Sequence, residues 1–474
     1  MSPPRVRTLI VGAGIAGMGA GYELLARQEN DFLLLEAGPR PGGVIATEAA
    51  DGFVFEAGPD SWLGMKRSLT QLCRELGLGD EITASQDRAR QTLILRNRRL
   101  LPLPPGWQLL APARFGPIAA TRLLSWRTKL RIAAEFFSRG EPQPPADESV
   151  AAFLGRLYGE EAVEYLAAPL LAGVYGGEPE ELSLDAIAPR MRAMKREGSL
   201  GRALWRNRRQ AAPAAPLFST LRPGLQRLVD ELARRIGPGR LRTRARVEQL
   251  RPSAAGWEAV LAGGERLQSE RLILALPAWA AAELLRSFDT ALAAELSAIP
   301  YGSAMILSLG YFQSPPLPPG FGALLPRREG KRMLACSFSH RKFPGRAPAG
   351  GALLRLFYGG RRDPAVLELD DAAVRELGLR ELREILGPLP GPDRMRISRQ
   401  PRAMAQYTPE HRRRRERIGT LRRRWPGLGL AGNAYQGIGI PDCLESGRAA
   451  ARELAMPGES VAPLLEDPAG ISPG

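Results

Sequence analysis

Two glycine clusters, one near each end of the chain, are the places where residue type and spacing could do chemistry. Gly12-Ala13-Gly14-Ile15-Ala16-Gly17 is a G-x-G-x-x-G run, and Glu36 stands 24 residues after Gly12. Such a run lets backbone amides close on a pyrophosphate. Gly12 allows the tight turn, Gly14 the close approach and Gly17 the contact of helix with strand. A helix starting there turns free N–H groups and a positive dipole end toward the phosphates. Glu36 is placed to take a ribose hydroxyl pair and would repel a 2′-phosphate. At the far end, Gly432-Asn433 and Gly437-Ile438-Gly439-Ile440-Pro441-Asp442 precede an apolar stretch. Pro suits a first helical turn, and the dipole of a helix opened there would stabilise negative charge on a reduced cofactor ring.

Counts of other residue types narrow the chemistry. His340 and His411 are the only histidines, which argues against a His-based metal site or a Ser-His-Asp triad. No metal and no catalytic side chain is therefore assigned, and a bound cofactor is expected to carry the reaction. Cys73, Cys336 and Cys443 are scattered and never C-x-x-C, a pattern of a reducing, cytoplasmic compartment. Lys+Arg exceeds Asp+Glu by 66 − 50 = 16, with lysine only at 66, 129, 195, 331 and 342. That Arg-heavy balance partly reflects coding bias. The arginines are dispersed without aromatic–basic interleaving, so no nucleic-acid partner is expected.

The elements that must position these residues follow from the apolar pattern. Residues 6–11 and 32–35 read as strands around a helix at 18–27, the strand–helix–strand setting that gives the glycine run its meaning. Residues 242–250 alternate as one strand, 271–276 form another, and a helix is expected over 443–454. No signal-peptide pattern precedes the first strand. The charge-free run 298–326 carries six prolines, so it reads as two strands and a turn-rich loop, not a spanning helix.

The run Glu36-Ala37-Gly-Pro-Arg40-Pro-Gly42-Gly43 extends the fingerprint past the acid, which a nicotinamide domain does not need. This is similar to the large flavoprotein family of amine oxidases, carotene desaturases and protoporphyrinogen oxidases, where the extension contacts FAD. Gly58-Pro59-Asp60-Ser61 resembles that family's second FAD segment, with Gly58 expected to let backbone approach the isoalloxazine. Val247 matches a valine that lies against adenine. Four more stretches resemble the protoporphyrinogen oxidase branch: 169–183 with Gly173 and Gly177, 320–326 with Leu324, 343–360 with Phe357, and Gln406-Tyr407-Thr-Pro-Glu410-His411, where Glu410 replaces a family glycine.

The resemblance implies FAD as cofactor and a porphyrinogen as substrate, foremost protoporphyrinogen IX and alternatively coproporphyrinogen III. Six electrons would leave in three two-electron rounds, with dioxygen as oxidant and peroxide as product, in haem or porphyrin biosynthesis. The substrate's propionates need a cation, for which Lys66 is the candidate, against an exposed helix-start lysine. Gly173 and Gly177 mark a turn near the substrate. Leu324 and Phe357 are candidate walls, against ordinary β-core. Some family members hold the substrate with an arginine where this chain has Thr92; Lys66 or Arg90 would substitute, or the pose differs.

The fold class expected is α/β, with a discontinuous Rossmann-like FAD domain (1–85, 212–285, 425–457). Beside it stand an α+β substrate domain with a mixed sheet (86–110, 286–424), a helical subdomain (111–211) and a loose tail (458–474). In the helical part Ile118, Leu123, Trp126, Leu130, Ile132, Phe136 and Phe137 interleave with Arg114, Arg122, Arg127, Lys129 and Arg131. That basic amphipathic pattern suits either a core-packed helix with a solvated basic face or peripheral attachment to an anionic membrane. A homodimer is a further candidate association. A flavin amine oxidase, a carotene desaturase and a basic nucleic-acid-binding flavoprotein remain as alternatives, and Cys443 raises the idea of a thioether-linked flavin.

Overall fold

The computed structural model describes residues 3–107, 110–141, 147–207 and 216–455. The tail 458–474, Arg208, Arg209 and the Pro-rich connection at 142–146 lie outside the described residues.

The two ends of the chain meet in one sheet. Its strands run in the order Leu241–Arg242, Phe32–Leu35, Arg5–Val11, Arg266–Leu274, Gly256–Leu261, Val247–Ser253, with Leu428–Leu430 also paired to Arg266–Leu274. The strands around Arg5–Val11 are parallel, and parallel strands are stable when both faces are covered. Alternation along these short apolar strands supplies both faces. Ile10, Leu34 and Ile273 pack under helices Ile15–Ala26, Gln226–Ile236 and Ile440–Ala455. Leu9, Val11, Leu35, Leu272 and Leu274 pack on the opposite side with Ala278–Leu285 and Thr290–Ser297.

A second, mixed sheet runs Arg394–Ala405, Tyr301–Tyr311, Ala352–Gly360, Ala335–Phe338, Gly322–Leu324, Thr92–Arg96, Arg99–Pro102. One face, with Met305, Leu307, Leu354, Leu356 and Tyr358, is closed by helix Asp371–Leu386. The alternate residues Arg355 and Phe357 therefore face the other way. There Leu353 packs on Phe53 and Phe55 of the hairpin Thr47–Ala50/Phe53–Glu56. The fold is thus α/β, with a mixed second sheet and a helical segment between.

Several boundaries move from expectation. The first helix begins at Ile15, three residues before 18, because Gly14 is extended (φ −66°, ψ 177°) and caps it. Residues 242–250 are two strands, Leu241–Arg242 and Val247–Ser253, on opposite edges of the sheet. The break falls at Arg244 (φ 53°), whose amide bonds the Gly38 carbonyl. The last helix opens at Ile440 and takes Pro441 and Asp442 into its first turn.

In the helical region the expected apolar set divides. Ile118, Leu123 and Ile132 are buried, whereas Trp126, Leu130 and Phe137 are 71%, 68% and 79% exposed. Helix Trp126–Phe136 instead buries Thr128, Lys129 and Glu135. Polar partners make this tolerable. Lys129 donates to the Ala119 carbonyl at 2.8 Å, and Glu135 pairs with Lys195 at 3.3 Å and accepts from the Leu200 amide. No helix among the described residues is long and apolar enough to cross a membrane.

Candidate functional site

The glycines of the first turn do three different jobs. A Cβ on Gly12 (φ 99°) would lie 2.5 Å from the Ala275 carbonyl oxygen, and one on Gly17 would lie 1.8 Å from that of Gly12. Both are needed for strand, turn and helix to touch. Around Gly14 nothing lies within 4 Å of an added Cβ, so the helix N-terminus it caps faces open space. Ala13, Ile15 and Ala16 fix that mouth: Ala13 receives the Gly42 amide, and Ala16 meets Gly447 of the last helix. Gly14 bridges Gly42, and Gly43 lies 3.4 Å from Gly14 Cα by its would-be Cβ. The Glu36 carboxylate accepts from the Ala13 and Gly38 amides at 3.0 and 2.7 Å. It therefore shapes the loop as well as standing beside it. Ala37 is exposed next to it. Arg40 spends its guanidinium on the carbonyls of Pro41, Gly43 and Ile45, bracing its own loop. Val247 starts the strand packed on Val11 and Leu35.

Gly58 is explained differently from expectation. Its would-be Cβ lies 2.2 Å from the Val44 carbonyl oxygen, so the glycine admits the neighbouring loop; Val44 itself is 40% exposed. Behind Gly58-Pro59-Asp60-Ser61 lies an ion cluster not anticipated from the sequence. Asp60 contacts Lys342 at 3.0 Å and Arg355 at 3.1 Å, and Ser61 donates to Asp60. Arg355 also donates to the carbonyls of Glu56 and Gly58. Arg346 reaches Glu56 at 3.3 Å. Burial opposes the charge on Asp60, but Lys342 and Arg355 outweigh it and hold its carboxyl below the usual range. At Glu56 burial wins over Arg346 and the pKa rises. Lys342 and Arg355 flank Asp60 and Arg346 flanks Glu56, so three basic side chains meet two carboxylates beneath this segment.

The C-terminal turn closes the same region. Gly437 (φ 136°) is buried, and its amide donates to the Tyr407 hydroxyl at 2.7 Å. Gly432 donates to Ser446. Ile438 packs between the helical region and the first sheet, and Gly439 accepts the Cys443 amide. Ile440 begins the helix. Lys66 is buried, not the exposed helix-start lysine, and its ammonium sits 2.8 Å from Asp442. Burial pushes the Cys443 thiol up to about 12.

Of the residues expected to meet substrate, Leu324 and Gly173 come together, at 3.6 Å from a would-be Gly173 Cβ. Val174 beside them is 55% exposed. Phe357 is half-buried, with the Arg355 guanidinium 5.1 Å from its ring. Gly177 is different: its would-be Cβ lies 2.2 Å from Gln406 Oε1, so that glycine serves packing against Gln406. Thr92 is half-buried beside Gly322, and Arg90 is exposed.

The residues missed, Lys342, Arg346, Arg355 and Asp442, are ion-pair members from distant parts of the chain. The one signal available for Lys342 was the rarity of lysine. Gly19 and Gly447, which bring the first and last helices together, were also passed over.

Known proteins place this geometry. The profile of flavin containing amine oxidoreductases matches residues 15–455. The chain is 30% identical over 465 residues to a coproporphyrinogen III oxidase of Bacillus subtilis, covering 95% of this chain and 98% of that one. It is 28% identical to the chloroplastic protoporphyrinogen oxidase of Nicotiana tabacum, covering 94% and 85%. A crystal structure of an Exiguobacterium protein assigned as a protoporphyrinogen oxidase superposes with a TM-score of 0.85 at 28% identity, over 96% of this chain and 99% of that one. The open helix mouth at Gly14, the Glu36 carboxylate and the exposed Val44 fit FAD. The chain belongs to the flavin-containing amine oxidoreductase family and is an FAD-dependent oxidoreductase of its porphyrinogen oxidase branch.

Proposed function

We propose that the protein oxidises coproporphyrinogen III to coproporphyrin III. Protoporphyrinogen IX, the substrate expected first from the sequence, is the second reading. Relatives with the coproporphyrinogen name are 26–32% identical to the chain, and the tobacco protoporphyrinogen oxidase is 28% identical. The observation that carries the reading is the row Leu324, Ala335 and Phe357 across the second sheet, with the Arg355 guanidinium 5.1 Å from the Phe357 ring. That pairing suits a macrocycle with carboxylate arms.

Bound FAD would supply the two-electron oxidation, used three times per macrocycle, with dioxygen taking the electrons as peroxide. The residues around it hold and orient. Amides at the mouth of helix Ile15–Ala26 would hold the pyrophosphate, and Glu36 the ribose. The excess cation of Lys342, Arg346 and Arg355 favours negative charge nearby. Lys66, whose ammonium pairs with Asp442 at 2.8 Å, stays the candidate partner for a propionate, with exposed Arg90 the alternative. No side chain is assigned as acid or base, and pyrrole protons leave to water. The division of labour we propose follows the sheets: residues 1–85, 212–285 and 425–457 hold the cofactor, and 86–110 and 286–424 the substrate.

We also propose that the helical region rests on an anionic membrane surface. Trp126, Leu130 and Phe137 stand outward beside Arg127 and Arg131, next to a cleft of about 360 Å³ lined by Arg114, Phe115, Phe136 and Trp205.

Turnover of the FAD-loaded protein on each porphyrinogen, followed by porphyrin fluorescence, tests the main reading. Faster oxidation of coproporphyrinogen III is expected. Turnover of neither, with amine oxidation in their place, would overturn it.

A further inference from the structure

The strand Arg394–Ala405 ends in two buried side chains that reach two different loops. Gln406, fully buried, donates from Nε2 to the Tyr175 carbonyl at 2.8 Å, at the end of helix Ala168–Tyr175, between Gly173 and Gly177, where the sequence suggests a turn. Gly177 has no room for a Cβ because Gln406 Oε1 occupies that space. Tyr407, 3% exposed, places its hydroxyl between the ends of the C-terminal turn. It donates to the Asn433 carbonyl at 2.8 Å and accepts from the Gly437 amide at 2.7 Å. Its ring is stacked on His411 at 4.1 Å and 12°, so the hydroxyl has little freedom to move. Asn433 is held from two further sides. Its Nδ2 donates to the Ala403 carbonyl at 2.7 Å, and its Oδ1 accepts from the Tyr301 hydroxyl at 3.2 Å.

One hydroxyl bridging Asn433 and Gly437 sets the span of the turn before helix Ile440–Ala455. In a buried site, losing such a bridge leaves an amide and a carbonyl without partners, and the turn must open to satisfy them. The strand end that fixes this turn also fixes the end of helix Ala168–Tyr175 and Gly177 beyond it, a stretch that carries exposed Val174.

We infer that Tyr407 is a positioning residue for the flavin-facing turn 433–439, and that Gln406 ties the substrate-side turn to the same strand end, so that cofactor and substrate are held in one frame. This inference rests on the oxidase reading above.

The test compares wild type with Tyr407→Phe, which keeps the stacked ring and loses only the hydroxyl, and Gln406→Met. Trp425→Phe serves as a control for lost stability, since Trp425 packs in the same apolar cluster as Tyr407 but donates its indole N–H to Asp289 at 2.7 Å, not to the turn 433–439. Tyr407→Phe is expected to raise the FAD dissociation constant about tenfold and to shift the reduction potential of the bound flavin, tenfold corresponding to about 1.4 kcal/mol. Gln406→Met is expected to raise the porphyrinogen KM at least about threefold with a smaller effect on FAD binding. Trp425→Phe should lower the unfolding midpoint and leave the flavin readouts alone. If Tyr407→Phe lowers the midpoint but keeps the wild-type FAD affinity and potential, the residue is merely structural and the inference is wrong. Should that variant not fold, Tyr301→Phe, which removes the donor to Asn433 Oδ1 and the acceptor of the Ala278 amide, is to give the same FAD signature; wild-type values there refute it equally. A wild-type chain that takes up no FAD would overturn the oxidase reading itself, and this inference with it.

Discussion

His411 should cost the folded protein stability as the pH falls from neutral to 5, by an amount that follows from its surroundings. The side chain is 2% exposed and stacked on Tyr407, with Arg415 and Arg414 nearby. Burial, then those two guanidinium groups, push its pKa down to about 3. In the unfolded chain an imidazole titrates near ~6.5. Below that value the unfolded chain binds a proton that the folded chain refuses, so unfolding is favoured increasingly as pH drops from there toward 3. At pH 5 the unfolded imidazole is about 1.5 units past its midpoint, which converts to about 2 kcal/mol. Denaturant unfolding between pH 7.5 and 5 measures this, with His411→Phe as reference because a phenyl ring keeps the stack and cannot titrate. Wild type should lose about 2 kcal/mol more than the variant over that span. His340, also lowered by burial, is common to both proteins and cancels. Parallel pH profiles for the two would refute the reasoning.

Other expectations concern the cofactor loop, one strained residue and the exposed helix. Glu36→Ala removes the acceptor of two backbone amides, and a loss of about 2 kcal/mol corresponds to a roughly 30-fold rise in the FAD dissociation constant. A rise below about threefold in a titration of the apoprotein would count against it. Glu410 sits at φ 73°, a left-handed conformation costing a side-chain-bearing residue about 1–2 kcal/mol, and its ion pair with Arg413 is exposed. Glu410→Gly should therefore raise stability by about 0.5–1 kcal/mol after the greater freedom of unfolded glycine is subtracted, read from the denaturation midpoint. Replacing Trp126, Leu130 and Phe137 together by serine should abolish co-sedimentation with vesicles containing phosphatidylglycerol while porphyrinogen turnover in solution stays unchanged. Retained vesicle binding would reject the membrane face.

How the chain deploys its few lysines bears on the site. Lys66, Lys129 and Lys195 are buried, and Lys342 is held between Asp60 and two aromatic rings. The dispersed arginines instead form many exposed pairs, such as Arg396 with Glu48 and Arg417 with Glu295. Exposed pairs of this kind contribute little each. The +16 excess therefore says less about partners than the few lysines do about the interior.

Much of the cofactor half was legible before any tertiary structure because its signals are local. A glycine at 12, 14 or 17 is demanded by backbone geometry within one turn, and Glu36 follows at the end of the next strand, so spacing alone carries the message. The mixed second sheet, the proline-broken loop at 312–321 and the helical middle were legible for the same reason. What the sequence could not supply are contacts between residues far apart along it. Lys66 meets Asp442 across 376 positions, Arg355 meets Gly58 across 297, and Gly177 needs Gln406 beside it. The direction of helix Trp126–Phe136 was undecidable as well, since its apolar and cationic residues suit either burial or exposure. Which face turned inward was decided by the partners that folding brought to Lys129 and Glu135. Local backbone demands are written residue by residue; charge pairing and the choice of buried face exist only once the chain has closed on itself.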